Sequence, residues 1–67
     1  MKITLNNRIE HFDAENITFE ELLKLKNYTF RLLVTKLNGK LIRKEERDTT
    51  IISDGDIVMV IHLISGG

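Results

Sequence analysis

The sequence contains no cysteine, no proline and no tryptophan, and only four glycines, one tyrosine and three phenylalanines. Without cysteine there is no disulfide, no thiolate nucleophile and no thiolate metal ligand. No cluster of histidine and carboxylate has metal-ligand spacing either, so a structural zinc is not expected. An excess of one charge is also missing: 10 Lys plus Arg balance 10 Asp plus Glu, with a pI near 6.7. A nucleic-acid binder ordinarily carries a basic excess or a basic stripe, so RNA or DNA is not the expected partner. No apolar run approaches the roughly 20 residues that span a bilayer, so no membrane is expected. Met1 leads straight into a strand-like run with no apolar targeting core, which points to the cytoplasm. The phosphate-cradling patterns GxxxxGK[ST] and GxGxxG are absent.

What is present is 67 residues, 42% apolar and 30% charged. That suits one small domain over residues 1–67 with a thin core. Ile3 and Leu5 alternate with Lys2 and Thr4 as in a half-buried strand. Asn6-Asn7 tolerates positive φ and predicts a tight turn into a returning strand, Arg8 to Phe12, with one of the pair near a sheet edge. Asp13 to Asn16 reads as a turn. Thr18-Phe19-Glu20-Glu21 matches the capping box of a helix start, with Ile17 and Leu22 as its hydrophobic staple. The helix is expected to run to about Lys26, with Asn27 as a left-handed C-terminal residue. A second β region, Arg31 to Leu37, meets Lys40–Ile42 across Asn38-Gly39, a type I′ hairpin signal. Arg43 to Arg47 reads as a charged surface turn or single helical turn, and Thr49 to Ile52 as the segment leading into the next turn. Asp54-Gly55-Asp56 reads as another turn, and Ile57 to Ile64 as a long apolar strand. The order ββαβββ predicts an α+β fold: a mixed sheet of four to five strands with one main helix across one face. The first and last strands can pair in parallel at its centre, the ubiquitin-like β-grasp arrangement.

Catalytic chemistry has few candidates. His11 and His62 sit on expected strands without an obvious Ser or Asp partner. Glu45 and Glu46 are adjacent and point apart in regular structure, so they suit a solvated turn better than acid–base work. Asp54 and Asp56 lack the remaining ligands of a calcium loop. No enzyme activity, catalytic residue, cofactor or metal is therefore expected.

Two features stand out. The chain ends Ser65-Gly66-Gly67. At ordinary glycine usage of about 7%, a terminal pair arises by chance in roughly 0.5% of chains, which favours a use for it. Diglycine is thin and conformationally permissive, so it can enter a narrow channel, and the Gly67 carboxylate is ionised at neutral pH. The second feature is the last strand, apolar at Ile57, Val58, Met59, Val60, Ile61, Leu63 and Ile64. A strand with one wet face should alternate. Either its second face is shielded by the segment around 43–50, or it docks a partner. The spacing places Val58 and Val60 towards the helix and Met59, Ile61 and Leu63 on an open face. Met59, Ile61, Leu63 and Ile64 are the expected partner-binding residues.

The opening Met1-Lys2-Ile3-Thr4-Leu5-Asn6, the segment Ile17 to Leu23, Asn38-Gly39, Asp54-Gly55-Asp56 and the terminal Gly66-Gly67 together resemble the ThiS family over the whole chain. ThiS proteins are β-grasp sulfur carriers of thiamine biosynthesis. The resemblance implies that an E1-like adenylating enzyme of the ThiF type activates Gly67. Sulfur from cysteine, supplied through a cysteine desulfurase, then converts it to a thiocarboxylate. A thiazole synthase of the ThiG type is the implied acceptor. Gly67 is then the modified residue, and Ser65 and Gly66 form its tail, at about residues 64–67. Two alternatives stand beside this one. The first is a carrier of another pathway, like the small subunit of molybdopterin synthase. The second is a β-grasp module that only docks protein or RNA.

Overall fold

The computed structural model describes residues 1–29 and 32–63. Seven strands and one helix follow in the order β1 (Lys2–Leu5), β2 (Arg8–His11), β3 (Asn16–Thr18), α1 (Phe19–Leu25), β4 (Leu33–Leu37), β5 (Lys40–Ile42), β6 (Ile51–Ser53) and β7 (Ile57–His62). A single 3₁₀ turn spans Lys44–Glu46. The main sheet has the strand order β2-β1-β7-β4-β5, with β1 and β7 parallel and every other pairing antiparallel. This is the expected β-grasp: a mixed five-stranded sheet, its first and last strands paired, with α1 on one face.

Local chemistry explains the elements. Asn6 and Asn7 have φ of 49° and 66°, and Asn38 and Gly39 have 51° and 83°, so both two-residue hairpins turn through left-handed backbone that suits Asn and Gly. The Asn38-Gly39 turn sets the register Leu37 opposite Lys40 and Lys36 opposite Leu41. At the helix start Thr18 Oγ1 accepts from Glu21 N at 3.1 Å, and Glu21 Oε1 accepts from Thr18 N at 2.9 Å. Hydrogen bonding to Thr18, first from its backbone N–H and then from its hydroxyl, holds the Glu21 carboxyl below its ordinary value of 4.5. At the helix end Asn27 adopts φ 58°, Asn27 N donates to Lys24 O and Tyr28 N donates to Leu23 O. That pair of bonds is a Schellman closure.

The core lies between α1 and the sheet. Ile3, Leu5, Ile17, Phe19, Leu22, Leu23, Ile42, Ile52, Val58 and Val60 are buried together. Ile17 and Leu22 both belong to it, as the staple required.

Three local expectations are corrected. Residues 16–18 are not only a turn and a helix entry: they form β3, which pairs with β6 in a separate two-stranded sheet. The segment Thr49 to Ile52 is more than a lead into a turn: a strand, Ile51–Ser53, forms there and belongs to that second sheet. The segment Arg43 to Arg47 is not charged surface throughout, because Arg47 is only 8% exposed. Its Nε donates to Thr35 Oγ1 at 3.1 Å and its Nη2 to Leu33 O at 2.9 Å. Those two acceptors offset the cost of burying a guanidinium.

Candidate functional site

β7 occupies the middle of the sheet, and its residues alternate between two environments. Val58 and Val60 point to the helix side and are 0% and 5% exposed. Ile57, Met59 and Ile61 point to the other side, where α1 does not reach. Ile57 is 55% exposed, Ile61 40%, and Met59 half-buried. Leu63 follows β7, 48% exposed, with its N–H donating to Leu32 O at 3.0 Å.

Of the two alternatives for this face, the shield is absent among the described residues. The segment around 43–50 packs on the helix side instead. Arg47 O accepts from Glu20 N and Thr50 O accepts from Phe19 N, which ties that segment to the start of α1.

Strand register extends the apolar face sideways. Val34 lies opposite Ile61, Lys36 opposite Met59, and Leu41 opposite Lys36. On the other flank Thr4 lies beside Ile57 and opposite Ile9. Ile9, Leu41 and Ile57 are all more than half exposed. The open face is thus an apolar surface crossed by β7, interrupted by Lys36. Alternation along β7 groups Met59, Ile61 and Leu63, and the family resemblance with the spacing back from the tail puts them on the open face. Val34, Leu41 and Ile9 were missed; the register that follows from the Asn38-Gly39 and Asn6-Asn7 turns was the signal that could have found them. Ile64, Ser65, Gly66 and Gly67 lie outside the described residues.

β7 also outruns β1, its parallel neighbour, and Asn6 extends the pairing. Its side chain is held in peptide-like geometry: Oδ1 accepts from Val60 N at 2.8 Å, and Nδ2 donates to Val60 O at 3.1 Å. Nδ2 also donates to Tyr28 Oη at 3.3 Å. The side-chain amide stands in for the next peptide group of β1, which the hairpin has already turned away. Asn6 therefore fixes β7 near the point where the chain leaves the sheet, a role invisible in a sequence where it reads only as a turn residue. At the opposite end Asn38 N donates to Ile57 O at 2.7 Å and Asn38 Oδ1 accepts from Ile57 N at 2.8 Å.

No group of three or more metal-ligating side chains forms among the described residues. His11 and His62 are both exposed. Asp54 Oδ1 accepts from Lys2 N, and Asp56 Oδ2 accepts from Ser53 N, so both carboxylates serve the turn before β7.

The arrangement is an open, largely apolar face centred on β7, the middle strand of the sheet. Comparison with solved structures finds the same fold. The crystal structure of the thiamine biosynthesis protein ThiS from Geobacter metallireducens superposes with a TM-score of 0.87 at 33% identity, with all of both chains covered. The solution structure of a thiamine biosynthesis protein from the same organism gives 0.79, also at 33% identity, covering all of this chain and 88% of that one. No curated protein sequence matches the chain. The ThiS family profile matches residues 3–67, β7 and the terminal diglycine included, and by that match the chain belongs to the ThiS family.

Proposed function

We propose that this protein is a sulfur carrier of thiamine biosynthesis, working in the cytoplasm as a carrier rather than a catalyst. The observation that supports this best is the open-face row of exposed Ile57, half-buried Met59 and exposed Ile61 and Leu63, which stands in the sequence just ahead of a terminal diglycine. The apolar row docks an E1-like adenylating enzyme, with Ile64 extending the contact. Burial of the row fixes the direction in which the tail leaves. Ser65 and Gly66 give a tail slim enough to enter the partner's active site.

The chemistry takes place at Gly67. A carboxylate oxygen attacks the α-phosphorus of ATP; the phosphoanhydride bond breaks and pyrophosphate leaves. Sulfide, released by a two-electron thiol reductant from the persulfide that a desulfurase forms with cysteine sulfur, then attacks the acyl carbon. The C–O bond to AMP breaks, AMP leaves, and the product is a thiocarboxylate. A thiazole synthase takes the sulfur and returns the carboxylate. The protein provides the acyl group and its delivery; the catalytic groups belong to its partners.

Removal of Gly67 tests this. It draws the terminal carboxylate back by about 3.3–3.6 Å, the span of one extended residue. A misplacement of about 1 Å already costs on the order of 10²-fold in a positioned reaction. The truncated protein should fold as the parent does but lose ATP–pyrophosphate exchange with the activating enzyme by at least about 10²-fold. Undiminished exchange would contradict the carrier mechanism.

A further inference from the structure

On the helix side of the sheet, away from the docking face, a half-open groove of about 240 Å³ lies between α1, the 3₁₀ turn and the start of β4. Its polar lining is Glu20 and Lys24 from α1, Tyr28 and Thr29 after it, Lys44 from the 3₁₀ turn, and Arg47. Three cations against one carboxylate is a local imbalance in a chain whose net charge is zero.

Arg47 makes this groove more than a patch of surface lysines. It is 8% exposed, and its guanidinium is held by Thr35 Oγ1 and Leu33 O, both neutral acceptors. Thr35 Oγ1 is itself fixed by donating to Ile42 O at 2.6 Å. Arg47 pairs with no carboxylate among the described residues. Its charge is therefore buried, pre-positioned and uncompensated. No buried side-chain nitrogen among the described residues lacks a hydrogen-bond partner. The Arg47 N–H groups beyond these two bonds must then reach solvent through the groove that the residue lines. A buried guanidinium with only neutral partners gains from an anion at its open side.

We infer that this groove is a binding site for a phosphate-class oxyanion. Lys24 lines the groove from α1, and Lys44 and Arg47 line it from the 3₁₀ turn and its cap. Separate cationic donors drawn from two elements suit a tetrahedral anion better than a planar carboxylate. A planar carboxylate is matched by the Nε–Nη2 fork of one arginine, and both of those atoms are already engaged by the protein. Thr29, also in the lining, adds a hydroxyl donor. Glu20 is the opposing group and weakens anion binding. The site lies on the opposite side of the sheet from the apolar face and does not depend on the carrier reading.

The test is titration of the ¹⁵N-labelled full chain with inorganic phosphate at constant pH and constant ionic strength, followed by amide and arginine side-chain resonances. Saturable shifts confined to Lys24, Thr29, Lys44 and the Arg47 Nε–H are expected. Lys44→Ala, at an exposed position, should weaken binding about tenfold, the loss of one charge-assisted hydrogen bond. Glu20→Gln should tighten it severalfold, which a purely structural role for these residues would not produce. Acetate at the same ionic strength should not saturate. Non-saturating or scattered shifts, indifference to Lys44→Ala, or equal saturation by acetate would each overturn the assignment.

Discussion

The two faces of the main sheet are built by the same strands yet obey different rules. On the helix side Ile3, Leu5, Val58 and Val60 are at most 5% exposed. On the open side Ile9, Leu41, Ile57 and Ile61 are at least 40% exposed. Hydropathy does not separate the two sets, since both are Val, Ile and Leu. Only the helix separates them, because α1 covers one face and nothing among the described residues covers the other. A small chain has little apolar surface to spare, so leaving a face uncovered weakens folding unless a partner uses it. Neighbouring residues of β7 therefore differ in surroundings, Val58 and Val60 lying in the core and Ile57, Met59 and Ile61 on the open face that the carrier reading gives to a partner.

That division breaks most visibly at Ile61 and Val60. Ile61→Asp should weaken binding to the activating enzyme by about tenfold to a hundredfold, because an unpaired charge is pressed into an apolar contact. Its cost to stability should stay below about 1 kcal/mol. Val60→Ala should do the reverse, costing about 1–3 kcal/mol as a core truncation and leaving affinity near that of the parent. Titration calorimetry and urea melts on the pair decide it, and an exchange of the two outcomes would show the faces assigned backwards. Next in size is Asn6→Gly, which keeps a residue at home in positive φ but removes both bonds to Val60. It should cost about 1–2 kcal/mol and speed hydrogen exchange at the Val60 amide before the rest of β7. If that amide stays as protected as in the parent, Asn6 does not hold the end of the strand.

The smallest effect concerns pH. The pKa of Glu21 is lowered in the fold by its bonds from Thr18, so its contribution is present above the ordinary value of 4.5 and fades as pH falls through the folded value. Glu21→Gln keeps a capping side chain without the titration. Melting profiles of the two proteins should differ above that range and converge in acid; parallel profiles throughout would remove the capping carboxylate from the account.

Much of this was legible in the sequence because the signals were local. The capping box, the staple, Asn27, the two left-handed hairpin turns and the alternation of β7 each depend on residues a few positions apart. What escaped depended on distant contacts. β3 is three residues long and exists because Ile17 and Ile52 meet across the chain, a pairing no local pattern carries. Arg47 looked like surface because its neighbours are charged; its burial follows from acceptors on β4, twelve and fourteen residues away. The lateral spread of the docking face was hidden for the same reason, since Val34 and Leu41 join it only through strand register.

The comparison of faces gains its meaning from the chain end that the open face leads to. The most direct measurement is the intact mass of the protein after incubation with its activating enzyme, ATP and a sulfur source. Exchange of the terminal hydroxyl for a thiol adds about 16 Da, the sulfur–oxygen difference, and fragmentation should place it on the Gly67 carboxylate, where the acyl group is presented for attack. A mass that stays unchanged while the partner is active, or a sulfur located on any other residue, would contradict the account.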